Sequence, residues 1–94
     1  MIRIKRTGNF IIALRALVKN TPSIMDEVDK SIQEFQNNPE DTRLLNHSLR
    51  KRMEGKYAFS VTHDIRIIYK WVGKSSVRFL DIGTHQQVYR IKSS

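Results

Sequence analysis

The 94 residues suit one compact domain, residues 1–94, built from two layers of secondary structure. There is no cysteine, so disulfides and thiolate metal sites are excluded, and no apolar run approaches the roughly 20 residues of a membrane span. The net charge of +8 is lopsided: residues 1–42 hold six Lys/Arg and six acids, while residues 43–94 hold eleven Lys/Arg and three acids. A one-sided positive field attracts polyanions, nucleic acid above all, or else matches an acidic protein partner. The first apolar run, Phe10 to Leu14, is too short for a signal peptide and is ended by Arg15, so the chain is read as cytoplasmic.

In chain order, Met1 to Arg6 alternates Ile2 and Ile4 with basic residues and predicts a short strand. Phe10, Leu14 and Leu17 then recur at helical spacing up to Asn20. Thr21 as N-cap and Pro22 at the first helical position predict a second helix. Its buried stripe is Ile24, Val28, Ile32 and Phe35, and Asn37-Asn38-Pro39 stops it. Two helices with one short connection predict an antiparallel helical hairpin.

After Pro39 the period changes to two. A linking segment from Glu40 to Glu54 carries Leu44, Leu45, His47 and Leu49, then the basic run Arg50-Lys51-Arg52. Strands follow around Tyr57–Val61, Ile65–Trp71 and Val77–Ile82, joined by turns at Thr62-His63-Asp64 and Gly73-Lys74. Gly83-Thr84-His85 breaks the last strand, and Val88, Tyr89 and Ile91 suggest a short terminal strand or turn. The fold class predicted is α+β: a short N-terminal strand and a helical hairpin packed on an antiparallel meander sheet. Ile65, Ile67, Tyr69 and Trp71 form the core face of the middle strand. Arg66 then projects from the opposite face, which an antiparallel sheet can leave to solvent.

Four pieces of the second half resemble one family of proteins. Leu45-Asn46-His47-Ser48-Leu49 is similar to an L-x-H-x-L segment, and Glu54-Gly55-Lys56-Tyr57 to a G-x-[WY] strand entry. Asp64-Ile65-Arg66-Ile67-Ile68-Tyr69 is similar to an R-[LIV]-[LIV]-Y strand, and Ile82-Gly83-Thr84-His85 followed by Tyr89 to a G-T-H close. In this order they resemble the RelE/ParE superfamily of bacterial toxins, nearest to its RelE/YafQ/YoeB branch.

The resemblance implies a type II toxin–antitoxin toxin with a RelE-like fold, partnered by an acidic antitoxin and acting on mRNA in the ribosomal A site. It implies metal-independent endoribonuclease chemistry with no cofactor. The ribose 2′-OH attacks the adjacent phosphorus and leaves a 2′,3′-cyclic phosphate. By matching position the catalytic set is His47, Asp64, Arg66, His85 and Tyr89. Arg66 suits the transition-state cation because its planar fork fits phosphate oxygens. His85 suits the general acid, His47 and Asp64 the base or its orienting partner, and Tyr89 a base-positioning ring. Arg50, Lys51, Arg52 and Lys56 are expected to hold RNA backbone, with Gln86 and Gln87 near base edges.

One departure is that the family's histidine on the entering strand is replaced by Ser60, with His63 nearby in the turn. No two of His47, His63 and His85 stand at metal-ligand spacing, so no metal site is expected. Two other functions compete. One is a ParE-like toxin that inhibits DNA gyrase by protein binding; the other is an inactive RNA-binding relic of the fold.

Overall fold

A computed structural model describes residues 1–49 and 54–89. Nine elements follow in order: strand β1 (Arg3–Arg6), helix α1 (Gly8–Asn20), helix α2 (Ile24–Asn37), a 3₁₀ turn (Thr42–Leu44), strands β2 (His47–Ser48), β3 (Tyr57–Ser60), β4 (Ile65–Trp71) and β5 (Ser76–Thr84), and helix α3 (His85–Tyr89). The fold is α+β, with the helical hairpin α1–α2 against a five-stranded sheet ordered β1-β5-β4-β3-β2.

Strands β2 to β5 pair antiparallel in sequence order, which is the expected meander. Strand β1 departs from it. It joins the far edge parallel to β5, with Arg3 opposite Ser76 and Arg6 opposite Phe79, so the sheet is mixed. The chain turns from β1 straight into α1 at Thr7. The Thr7 side chain caps the helix by accepting from Phe10 N–H and donates to the Phe79 carbonyl at 2.8 Å.

The second helix starts later than Thr21-Pro22 predicts. Thr21 instead ends α1, its N–H donating to the Leu17 carbonyl. The Thr21 and Pro22 carbonyls then accept from Ile24 and Met25 in a tight turn, and α2 begins at Ile24. Asp26 and Glu27 lie in its first turn, where the helix dipole favours them.

The α2 stripe Ile24, Val28, Ile32 and Phe35 is buried as its spacing predicts. It meets Phe59, Tyr69 and Phe79 from the sheet. Phe35 stacks on Phe59 with ring centroids 4.5 Å apart and meets Tyr69 edge-on at 4.8 Å. Each such fully buried side chain is worth about 1.5–3 kcal/mol of transfer free energy, so this aromatic centre fixes hairpin against sheet. Of the predicted core face of β4, Ile65, Ile67 and Tyr69 are buried, but Trp71 is 36% exposed at the hairpin end, edge-on to Tyr69. Tyr69 reaches past the core to donate its hydroxyl to Asn46 Oδ1 at 2.8 Å.

The opposite face is not simply solvated. Strand β5 does not break at Gly83; Gly83 pairs with Arg66 and Thr84 with Ile65, and α3 follows where a strand or turn was predicted. A second, smaller apolar cluster of Ala58, Ile68 and Val88, flanked by Leu49, Leu80 and Tyr89, seats α3 on this face. Ile91 lies outside the described residues.

Candidate functional site

The site is built by strand alternation. Ile65 and Ile67 point into the core, so Arg66 between them must leave the other face. Its cross-strand neighbours are Ser60 on β3 and Gly83 on β5. Arg66 Nη1 donates to Ser60 Oγ at 2.6 Å. Ser60 is only 9% exposed, so one arm of the guanidinium is anchored in the sheet and its remaining N–H groups are directed elsewhere.

Gly83 sets what stands over the other side. A Cβ there would lie 2.6 Å from Gln87 Oε1 and 3.2 Å from Gln87 Cβ. The missing side chain lets Gln87 fold back onto the strand end. Thr84 N–H donates to Gln87 Oε1 at 2.8 Å, and Gln87 N–H donates to Thr84 Oγ1 at 3.2 Å. This reciprocal pair is a capping box, Thr84-His85-Gln86-Gln87, and it starts α3 directly after β5.

Helix α3 carries two of the predicted residues. His85 and Tyr89 are one helical turn apart, and their rings meet edge-on at 4.4 Å. The Tyr89 phenol is pushed up in pKa by burial and pulled partly back by the positive charge of Arg66. Tyr89 packs beside Val88 against Ile68, two residues along β4 from Arg66 on the same face, so Ser60, Arg66, Tyr89 and His85 gather at one end of that face. His85 is exposed and Arg66 half-buried, so the group opens to solvent through the imidazole.

The other predicted residues stand around this group at different distances. His47, on β2, pairs with Ala58, which pairs with Ile68; this places His47 on the same sheet face as Arg66. Two strand spacings and two residues separate them, about 12 Å between backbones. His47 Nδ1 sits 2.8 Å from the Leu45 carbonyl, which only accepts. In the neutral ring Nδ1 therefore carries the hydrogen and Nε2 keeps its lone pair. Leu45 is in the left-handed region at φ 51°, which turns that carbonyl toward the ring.

Asp64 is exposed in the turn before β4, one position beyond the Ile65–Thr84 pair and so across from the start of α3. Its N–H donates to Thr62 Oγ1. Neither an ion pair nor a hydrogen bond joins Asp64 to His85 among the described residues. His63 is exposed in the same turn. Lys56 directly precedes β3 and lies half-buried, Gln86 is exposed on α3, and Gln87 is engaged in the cap. Arg50, Lys51 and Arg52 lie outside the described residues. Among the described residues no three His, Asp or Glu side chains converge to hold a metal ion.

Ser60 and Thr84 were not singled out as positioning residues from sequence. The T-x-x-Q signature of the capping box is legible at Thr84, whereas Ser60 is marked in the sequence only as the replacement for the family's histidine, and its tethering of Arg66 comes from cross-strand register. A separate cleft of about 290 Å³ lies between α1 and the end of β5, lined by Asn9, Ile12, Ala16, Asp81 and Gln87.

No protein-family model and no curated protein sequence matches the chain. Solved structures do. The crystal structure of YafQ from E. coli strain BL21(DE3) superposes with a TM-score of 0.78 at 22% identity, covering 95% of this chain and 99% of that one. YafQ in the E. coli DinJ–YafQ complex gives 0.72 at 22% identity, with 95% and 99% covered. A YoeB/ParE toxin from Agrobacterium tumefaciens gives 0.74 at 13% identity, with 89% and 99% covered. The likeness is one of fold, and it extends over nearly the whole of each chain.

Proposed function

We propose that this chain, folded like the toxins YafQ and YoeB, is the toxin of a toxin–antitoxin pair and a metal-independent endoribonuclease acting in the cytoplasm. The observation that carries this reading is the grouping of Ser60, Arg66, Tyr89 and His85 at one end of a single sheet face, where a guanidinium tethered by Ser60 and a solvent-facing imidazole held against Tyr89 stand on neighbouring elements. Attack of a ribose 2′-oxygen forms a bond to phosphorus and breaks the bond from phosphorus to the 5′-oxygen. Arg66 neutralises the negative charge that builds on the non-bridging oxygens. Protonated His85 gives its proton to the departing 5′-oxygen. The 2′-OH proton goes to a base, His47 through Nε2 or the Asp64 carboxylate. Tyr89 holds the His85 ring edge-on and offers a face to the flanking base.

YafQ is solved with DinJ, and YoeB from Staphylococcus aureus with YefM. By that likeness the partner is an antitoxin. The +8 charge makes an acidic one the physical complement, wrapping the basic face around Arg66 and His85. The substrate is mRNA, held in the ribosomal A site, with Lys56 and the run Arg50-Lys51-Arg52 on RNA backbone. The deciding experiment is single-turnover cleavage of mRNA on programmed ribosomes, with identification of the new 3′ end, beside a gyrase supercoiling assay. A 2′,3′-cyclic phosphate supports the reading. Inhibited supercoiling with uncut RNA replaces it with the gyrase-binding one.

A further inference from the structure

We infer that a transverse row of cations, Lys5, Arg78 and Lys70, carries the phosphate backbone of the substrate RNA beyond the cleaved nucleotide; this rests on the ribonuclease reading and extends its site. The row is a product of register. The parallel pairing sets Lys5 opposite Arg78, and the antiparallel pairing sets Arg78 opposite Lys70. Residues opposite one another project from the same face of a sheet. Their neighbours Val77, Phe79 and Tyr69 are buried in the core, so the three cations share the other face, the one Arg66 leaves by.

Lys5 and Arg78 are exposed and Lys70 is half-buried. Lys56, one step before the Tyr57–Tyr69 pair, continues the row beside Lys70. Like charges directly opposite across strands are destabilising, and here three stand in line. Among the described residues none of the three is paired with a carboxylate. A bound polyanion relieves that repulsion. Arg66 and Lys70 are four residues apart on one strand, about 13 Å at the rise of a β-strand. An RNA with one phosphate at Arg66 therefore reaches the row within a few nucleotides, passing the ridge that Val88 of α3 makes over Ala58 and Ile68. This continuity with a phosphate site on the same face favours RNA over an acidic peptide.

The test is the salt dependence of binding of a long single-stranded oligoribonucleotide, with His85→Gln as background so that the RNA stays intact. Lys5→Gln with Lys70→Gln and Arg78→Gln is expected to reduce the slope of log K against log[salt] by about 2, at about 0.7 per lost contact. Binding of a trinucleotide stays unchanged, since it spans only the Arg66 site. A control triple, Arg15→Gln with Lys19→Gln and Lys30→Gln, removes equal charge from the helices and is expected to leave the slope as it was. Should the row triple not fold, Lys5→Gln and Arg78→Gln alone are each expected to lower the slope by about 0.7.

An unchanged slope overturns the inference. So does loss of poly-glutamate binding with RNA binding intact, or a loss seen with ribosomes but not with the free oligonucleotide. If the wild type cuts no RNA while the slope still falls, the ribonuclease reading fails and takes with it the row's role for a cleaved substrate, while the row's contact with RNA backbone is upheld. If RNA is cut and the slope holds, the row fails alone.

Discussion

Ser60 lies directly across the β3–β4 ladder from Arg66 and accepts a 2.6 Å hydrogen bond from Arg66 Nη1. A guanidinium on a long stem loses orientation unless something holds it, and here a nearly buried hydroxyl does so. Ser60→Ala is expected to slow single-turnover cleavage about tenfold, equivalent to about 1.4 kcal/mol of barrier and near the low end for a hydrogen bond to a charged group. Thermal stability stays close to wild type. An unchanged cleavage rate shows that the tether has no part in chemistry.

His85→Gln keeps hydrogen-bonding capacity but cannot supply the proton. The cleavage rate is expected to fall by about 10²–10⁴ with RNA affinity nearly intact. Arg66→Ala should lose rate and some affinity together, because a cation binds the ground-state phosphate as well as the transition state. Both variants should fold, since neither side chain belongs to the core, and both should relieve growth arrest. Persistent arrest in both points to the gyrase-binding alternative.

Gly83 and Gln87 should behave as one unit. Gly83→Ala displaces the Gln87 amide from Thr84 N–H and should cost about 0.5–2 kcal/mol, the usual worth of a cap. Cleavage should fall with it, because α3 carries His85 and Tyr89. In a double-mutant cycle, Gly83→Ala should cost less when added to Gln87→Ala than it does alone, the remainder reflecting the 3.2 Å approach to the retained Cβ of residue 87. Additive losses in urea unfolding are the contrary result.

Tyr69 gives a pH signature. Burial pushes its phenol up from 10.0 to about 12. Folding thus favours the neutral form: the stabilisation is fully present below the unfolded value and is lost as pH rises through the folded one. Stability measured by urea should decline between those two values. In Tyr69→Phe that part of the decline should be absent. The same variant leaves Asn46 Oδ1 without its donor, at about 1–3 kcal/mol. An identical alkaline decline in the variant shows that another group governs it.

Period-two patterning made the orientation of Arg66 legible, because Ile65, Ile67 and Tyr69 could only bury together. The α2 stripe was legible for the same kind of reason. Pairing partners were not: nothing near Arg3–Arg6 says that these residues lie parallel to Ser76–Phe79. Thr21-Pro22 carries a helix-start signal, yet α1 uses Thr21 as its own end. Around Gly83 the local signal misleads. The glycine looked like a break because glycine weakens strands, whereas here it makes room for a capping side chain from the next helix. The proposed site was readable as single residues, and its assembly through Ser60 and α3 depends on register that sequence alone leaves open.

The pairing of β1 with β5 also orders events in time. Thr7 Oγ1 bonds the Phe79 carbonyl across 72 positions, and Asn9 bonds the Leu80 carbonyl across 71. Contacts of such sequence separation form late, after much loop entropy has been spent. During synthesis, the first strand and the helix it leads into must wait for β5 to emerge. The residues that complete the cluster, His85 and Tyr89, come just after it. The five-stranded sheet and the Arg66–His85 group are thus completed in nearly the same moment, and a nascent chain stopped before residue 76, though it holds β2 to β4, lacks both.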